Sequence, residues 1–408
     1  MSADMNVPEI RFKGFSGEWV PKTLGSSVSY IKGFAFKSND YEDNGTRIVR
    51  VSDLTKNSLS ESSSKIYISS SKANLYSNYI IDGGDIVITT VGSKAEMRES
   101  AVGRAIIFTK NEGHLLNQNL VKVTPAIAND SQFIYNQLLR EQYAKFIEDI
   151  QRGNANQANI AIGDLWEYSL NFPKVKKEQA QIGNTFQKLD NLINQHQQKH
   201  DKLSSIKKAM LEKMFPKQGE TTPEIRFKGF SGEWEEKELA DVANMIMGQS
   251  PSGENYTDNP NDFILVQGNA DLKNGFVVPR VWTSEATKVA TKGALIFSVR
   301  APVGEVGKTN YDVVLGRGVA AIYGNEFIYQ QLRRLQSDNY WYKVSAGSTF
   351  DAISSAELAS TFIWVSSESE QDKIGNYFQK LDTLINQHQQ QITKLNNIKQ
   401  ACLSKMFV

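Results

Sequence analysis

The chain has 408 residues, 40% of them hydrophobic, with a formal net charge of +1. That is enough apolar material for two to three folded domains, and too little net charge to announce a nucleic-acid partner by itself. A single cysteine, Cys402, excludes an internal disulfide and suits a reducing compartment, and with only four histidines (His114, His196, His200 and His388) it makes no conventional zinc cluster.

In chain order, the first feature is "PEIRFKGFSGEW", Pro8 to Trp19, repeated letter for letter at Pro223 to Trp234. Behind the first copy, "RIVRVSDL", "DIVITTV", "RAIIF" and "NLVKVT" read as strands between turn-rich loops, and "SQFIYNQLLREQYAKFIEDIQ" as one helix. A long helix follows, Glu178 to Phe215, closed by Pro216. Its apolar seam, Ile182, Phe186, Leu189, Ile193, His196, His200 and Leu203, steps by four and three, as a coiled coil requires. Behind the second copy, "DFILVQ", "ALIFSVR" and "VAAIYG" read as strands and "NEFIYQQLRRLQSDNYWYKV" as the matching helix. Glu370 to Phe407 then repeats the long helix, with seam residues Ile374, Phe378, Leu381, Ile385, His388, Ile392 and Leu395.

These repeats make two copies of one plan. The openers lie 215 residues apart and the long helices 192 apart, so the first middle is longer by 23 residues. "FIYNQLLR" answers "FIYQQLRR", Gly153 answers Gly347, and "IVRVSDL" loosely answers "LVQGNADL". The expected fold is α+β: two similar α+β modules joined by two long antiparallel coiled-coil helices in a pseudo-twofold internal repeat. Each helix of about 38 residues makes a rod of roughly 57 Å. His196 and His388 read as polar residues that set register in the seam. Lys and Gln are expected on the outer faces, with a local register shift at Ile206 and Ile398. The opener reads as a joint between module and helices: Pro8 and Pro223 stiffen it, Gly14, Gly17, Gly229 and Gly232 turn it, and Phe12, Phe15, Trp19, Phe227, Phe230 and Trp234 anchor it. In this plan the first copy lies near the distal helix and the second follows the central one.

Catalytic equipment does not appear. There is no GxxxxGK[ST], GxGxxG or GxSxG pattern, and "DNPNDF" lacks the double proline of an adenine-methyltransferase motif and reads as a turn. Apolar runs fall short of the roughly 20 residues of a membrane span, and "MSADMNVPEI" lacks a signal-peptide pattern, so a soluble cytoplasmic protein is expected. Charge is uneven: residues 174–217 carry a net +6 and 370–408 a net +2, leaving −7 elsewhere, with the second module the more acidic.

Two diverged modules on an undiverged helical frame suit recognition of two different sites. The layout resembles the specificity subunit of type I restriction–modification systems over essentially the whole chain. "GQSPSGENY" (Gly248 to Tyr256), "LGRGVAAIYG" (Leu315 to Gly324), "SAGSTFDAISSAEL" (Ser345 to Leu358) and the duplicated "EQ…IG…F.KLD.LI" helices carry the likeness. The resemblance implies target-recognition domains at 1–175 and 218–368, and conserved helices at 176–217 and 369–408. It implies that each domain reads one half of a bipartite double-stranded DNA target, and that the helices set the gap and dock two methyltransferase subunits. It also implies that the chain itself binds no cofactor: S-adenosylmethionine belongs to the methyltransferase partner, and ATP and Mg to restriction and translocase subunits. No membrane is involved.

Base edges are read by Arg, Lys, Asn, Gln and small hydroxyls on rigid loops. In the first module these are Lys32, Lys37, Arg50, Arg98, Asn117, Gln118, Asn119, Asn156 and Gln157. In the second they are Gln249, Ser252, Gln267, Asn269, Arg300, Arg317, Ser348 and Thr349. Tyr340, Trp341 and Tyr342 read as core packing rather than a stacking platform. The alternative is a coiled-coil scaffold whose modules bind protein or sugar, which accounts for acidic modules without further assumption.

Overall fold

The computed structural model describes residues 6–55, 58–60, 64–95, 101–154, 157–345 and 352–408. They form two compact units: Met1–Gln195 with Ile392–Val408, and His196–Gln391. Each long helix, Lys176–Lys213 and Glu368–Lys405, therefore gives its first half to one unit and its last part to the other.

In the first unit an antiparallel sheet runs in the order Val28–Lys32, Leu120–Pro125, Ile86–Thr89, Ala105–Ile107. Its inner strand Ile86–Thr89 is buried at every position because both faces are covered. Ile86 and Ile88 join the main core with Phe133 and Phe186, whereas Val87 points into a second cluster with Val49 and Leu116. A smaller sheet orders Ile66–Ile68, Thr46–Val49 and Leu115–Leu116, the last pair parallel.

The second unit enlarges the same scheme. Six strands run Asn244–Met247, Val319–Tyr323, Leu295–Ser298, Val306–Lys308, Phe276–Val277, Leu272–Lys273, beside a five-stranded sheet centred on Phe263–Val266. Here Leu295 and Phe297 face one cluster and Ile296 the other.

Two expectations about helices need correction. The single helix expected in each module is two. In the first module, Ser131–Gln137 and Glu141–Ile150 are separated where Arg140 adopts an extended backbone. That conformation lets the Arg140 guanidinium lie 5.6 Å over Phe407 and donate to the Val408 carbonyl at 2.7 Å. In the second, Glu326–Ser337 and Tyr340–Ser345 break at Asn339, whose φ of 57° is the left-handed stop that asparagine tolerates. Trp341 packs as expected, 1% exposed against Phe297, while Tyr342 faces solvent.

The seam also runs differently past Leu203 and Leu395. Ile206 packs against the core of the second unit as expected, but its counterpart Ile398 does not. The four-three stepping continues through Lys207, Met210 and Met214, and through Lys399, Cys402 and Met406, with both lysines buried and Ile398 40% exposed. Lys207 Nζ donates to Asp382 Oδ1 at 2.6 Å in the second unit, and Lys399 Nζ to Asp190 Oδ1 at 2.6 Å in the first. Burial, with the Arg333 guanidinium nearby, pushes the Lys207 ammonium down to about 8. Of the expected seam, Ile182, Phe186, Ile374, Phe378, Leu381 and Ile392 are buried, and Leu189, Ile193, His196, His200, Leu203, Ile385, His388 and Leu395 half-buried. Within each unit the two helix segments run antiparallel, as the pairings Asp190–Lys399, His196–His388 and Lys207–Asp382 require.

The duplicated opener is a clasp on two helix ends. In the first unit, Arg11 Nε and Nη2 donate to both carboxylate oxygens of Glu178 at 2.7 and 2.8 Å, at the start of the central helix. The Ile10 N–H donates to the Lys405 carbonyl at 2.8 Å, at the end of the distal helix. The remaining Arg11 hydrogens reach the carbonyls of Gly17 and Ser16. In the second unit Arg226 holds Glu370 at the same 2.7 and 2.8 Å, and Ile225 N–H meets the Lys213 carbonyl at 2.9 Å.

An aromatic box closes each joint. Trp19 lies 5.6 Å from Phe133 and 6.1 Å from Phe407, and Phe407 lies 5.7 Å from Phe186. Trp234, Phe327, Phe215 and Phe378 repeat it at 5.5, 5.9 and 6.2 Å. The "FIY" echo is thus the module's share of the box.

Two predictions follow from these contacts. Glu370 is 0% exposed, so Arg226→Met strands a buried carboxylate and is expected to cost about 3–5 kcal/mol. Urea denaturation measures it, and a loss under 1 kcal/mol would refute the clasp. In the seam, His196 Nδ1 and His388 Nδ1 lie 2.8 Å apart, a contact that only one of the two can donate to. Burial, then His196, Lys199 and His200, hold His388 below the ordinary imidazole value. The unfolded chain therefore binds the proton first as pH falls below about 6.5, and stability must drop through that window and return above it. His388→Asn should flatten the fall in melting temperature between pH 7 and 5; an unchanged slope would exclude the pair as its source.

Candidate nucleic-acid interface

One tight turn organises the strand-end loops in each unit. In the first, the Leu120 N–H closes a β-turn on the Asn117 carbonyl at 3.0 Å, so Gln118 and Asn119 form its tip. Three other loops hang on this turn by main-chain bonds. Asn117 N–H donates to the Val49 carbonyl (3.1 Å), Thr90 N–H to Asn119 (2.9 Å) and Phe34 N–H to Leu116 (3.0 Å). Glycine is required beside it, because a Cβ on Gly33 would lie 1.9 Å from the Asn117 carbonyl oxygen.

The second unit builds the same frame. Val319 N–H closes on the Gly316 carbonyl (3.2 Å), placing Arg317 and Gly318 at the tip. Gly316 N–H donates to Val266 (2.8 Å), Val299 N–H to Gly318 (3.0 Å) and Gln249 N–H to Leu315 (2.8 Å). A Cβ on Gly248 would meet the Gly316 oxygen at 2.1 Å, and one on Gly318 the Gln267 oxygen at 2.1 Å.

Around this turn the second unit opens a cleft of about 430 Å³ that brings together Gln267, Asn269, Arg300 and Arg317. Tyr256 and Ser250 also line it; Gln267 Nε2 donates to the Tyr256 hydroxyl at 3.0 Å and Ser250 Oγ accepts from the Arg317 N–H at 3.1 Å. Among the described residues no acidic side chain lines the cleft, although the module as a whole is acidic, and both arginines are exposed. Gln249 and Ser252 sit on the adjoining loop, both exposed, outside the cleft lining.

In the first unit Lys32, Lys37, Gln118 and Gln157 are exposed, and Asn117 and Asn119 half-buried. Arg50 is already engaged: its guanidinium donates to both oxygens of buried Asp53 and to the Ser64 carbonyl. Arg98, Asn156, Ser348 and Thr349, with Gly347, lie outside the described residues.

Two carboxylates escaped the expectation. Asp53 accepts from the Arg50 N–H at 2.8 Å, and Asp271 from the Gln267 N–H at 2.7 Å and from Arg280 Nε at 2.7 Å. Both are buried and hold the loop after the equivalent strand. Their signal was the shared "SDL" and "ADL" ending, whose aspartate serves the backbone rather than a ligand.

A larger groove of about 1480 Å³ in the second unit runs past Lys207, Lys308, Arg333 and Asp382. None of the expected base readers lines it, and its central charges already pair with one another. Among the described residues no group of three or more His, Cys, Asp and Glu is placed to hold a metal, and no helix is long and apolar enough to cross a membrane.

Residues 16–205 and 231–397 match the type I restriction modification DNA specificity domain. The chain is 25% identical over 381 residues to the protein assigned as the MjaX type I restriction enzyme specificity subunit of Methanocaldococcus jannaschii, covering 90% of this chain and 88% of that one. The crystal structure of a type I restriction–modification system S subunit from M. genitalium matches with a TM-score of 0.72 at 17% identity, over 98% of this chain and 99% of that one, a likeness of fold.

The close approach at Gly318 is directly testable. Gly318→Ala forces the turn off Gln267 and should cost about 1–3 kcal/mol of stability in the second unit. It should also weaken DNA binding beyond what the melting temperature predicts. Unaltered binding and melting would show that the loops do not depend on this contact.

Proposed function

The chain belongs to the type I restriction–modification DNA specificity family, and from that premise we propose that it reads a bipartite DNA target with one half-site per unit. Specificity subunits recognise DNA and are not themselves catalytic. In the proposed scheme two methyltransferase subunits dock on the long helices and methylate adenine N6 within the target, using S-adenosylmethionine that they bind. Restriction and translocase subunits, carrying ATP and Mg, join to cut unmethylated DNA in the cytoplasm. The helices that enter both units set the unspecified gap.

One observation carries the reading. The two units hang their loops on the same turn by matching main-chain bonds, yet display different side chains there, whereas the clasp keeps the same residues and the long helices keep most of theirs. Identical frames with different tips suit two readers of two different half-sites. The cleft of the second unit offers what a phosphate- and base-lined groove needs, arginines and amides, with no carboxylate lining it among the described residues. No observation favours protein or sugar as the ligand over DNA.

Exchanging residues 20–172 with residues 235–365 should leave a folded chain whose methylated motif has its two halves reversed. Sequencing of N6-methyladenine in cells that carry the methyltransferase partners reads this out. A motif that ignores the exchange, or one that persists without this chain, would defeat the proposal.

A further inference from the structure

The two turns are superimposable in their bonding, which pairs individual residues across the units. The bonds of Gly33 and Gly248 to Leu120 and Val319 (both 2.9 Å), of Phe34 and Gln249, of Thr90 and Val299, and of Asn117 and Gly316 match one for one. They place Gln118 opposite Arg317, each at the first tip position of a two-residue turn. Both side chains are exposed, and neither makes a side-chain hydrogen bond among the described residues.

The same pairing sorts the neighbours. Arg50 stands opposite Gln267, because Val49 and Val266 accept equivalent bonds. In the second unit Arg280 neutralises Asp271, leaving the Gln267 side chain in the cleft. In the first, Arg50 itself neutralises Asp53 and is not available. Arg300 stands opposite Val91, which has no hydrogen-bonding side chain. Among these matched positions of the described residues, the turn tip alone presents a free side chain with paired hydrogen-bonding groups in both units.

We propose that Gln118 and Arg317 are the equivalent specificity residues of the two half-sites, Gln118 selecting an A·T pair and Arg317 a G·C pair at the corresponding position. The chemistry is that of the major groove. A glutamine amide offers one donor and one acceptor in the pattern of adenine N6 and N7, whereas a guanidinium offers two donors to guanine O6 and N7. This rests on the DNA-reading function proposed above and adds which residue reads which base.

The test uses the full chain in complex with its methyltransferase partners, with Gln118→Arg and Arg317→Gln made separately. Methylated motifs are read by sequencing, and the purified complexes are competed against duplexes changed at single positions. Gln118→Arg should convert one A·T position to G·C in one half-site, and Arg317→Gln one G·C position to A·T in the other. Discrimination at the affected position should shift roughly tenfold or more. Unchanged motifs, changes from both variants in the same half-site, or loss of binding to every duplex would overturn the pairing. If a variant methylates nothing, the competition decides: a preference switched or lost at one purine supports the pairing, and the parental preference at every position refutes it. Should the unaltered chain direct no bipartite motif, the functional reading itself fails, an outcome separate from these.

Discussion

Each unit depends on one buried ion pair, between the opener arginine and the first-turn glutamate of a long helix. Glu178 and Glu370 are almost wholly removed from water, 1% and 0% exposed. A carboxylate so placed is tolerable only if a fixed cation and hydrogen bonds replace its hydration. Arg11 and Arg226 do so with two-pronged geometry, and spend their remaining hydrogens on carbonyls of their own loop. The tryptophan eight residues on closes the aromatic box over the same spot. Module, helix start and helix end meet there. Charge, fork geometry and ring shape are all specified at once, and the two copies of the opener make the same contacts.

The loops obey the opposite rule. Their frame is made of main-chain bonds and of glycines whose Cβ would collide with a neighbouring carbonyl. Main-chain bonds do not specify side chains. A turn held in this way keeps its shape while its tip changes from Gln-Asn to Arg-Gly. Stability and selectivity are thus assigned to different atoms of the same unit, and one can diverge without harming the other. The acidic total of the second module is reconciled in the same terms. Acids such as Asp271 and Glu285 are engaged in holding loops, while the cleft itself presents arginines.

The helical seam shows polarity used for register. Buried lysines paired to aspartates, and two histidines sharing one contact, occupy core positions that leucine would fill with greater stability. Their partners lie at single heights on the facing helix, so a slip of one heptad leaves charges buried without a mate. Such a seam favours one antiparallel alignment over its neighbours.

Much of this plan is legible in the letters. Duplication, the four-three stepping, the apolar runs of the inner strands and the role of the opener all arise from local spacing, which the chain carries wherever it folds. Family likeness followed from the order of those features. Other features depend on segments remote in sequence. Lys207 and Lys399 turn inward only because an aspartate waits opposite. The module helices break because Arg140 must reach the far end of the distal helix and because Asn339 takes the left-handed turn. Arg50, a plausible base reader by type, is held by Asp53, whereas Gln118 and Arg317 come to equivalent places through loops that share almost no residues. Periodicity records which face of an element is apolar. It does not record which remote group will meet a particular charge, since that is decided when tertiary packing brings two stretches within hydrogen-bonding distance.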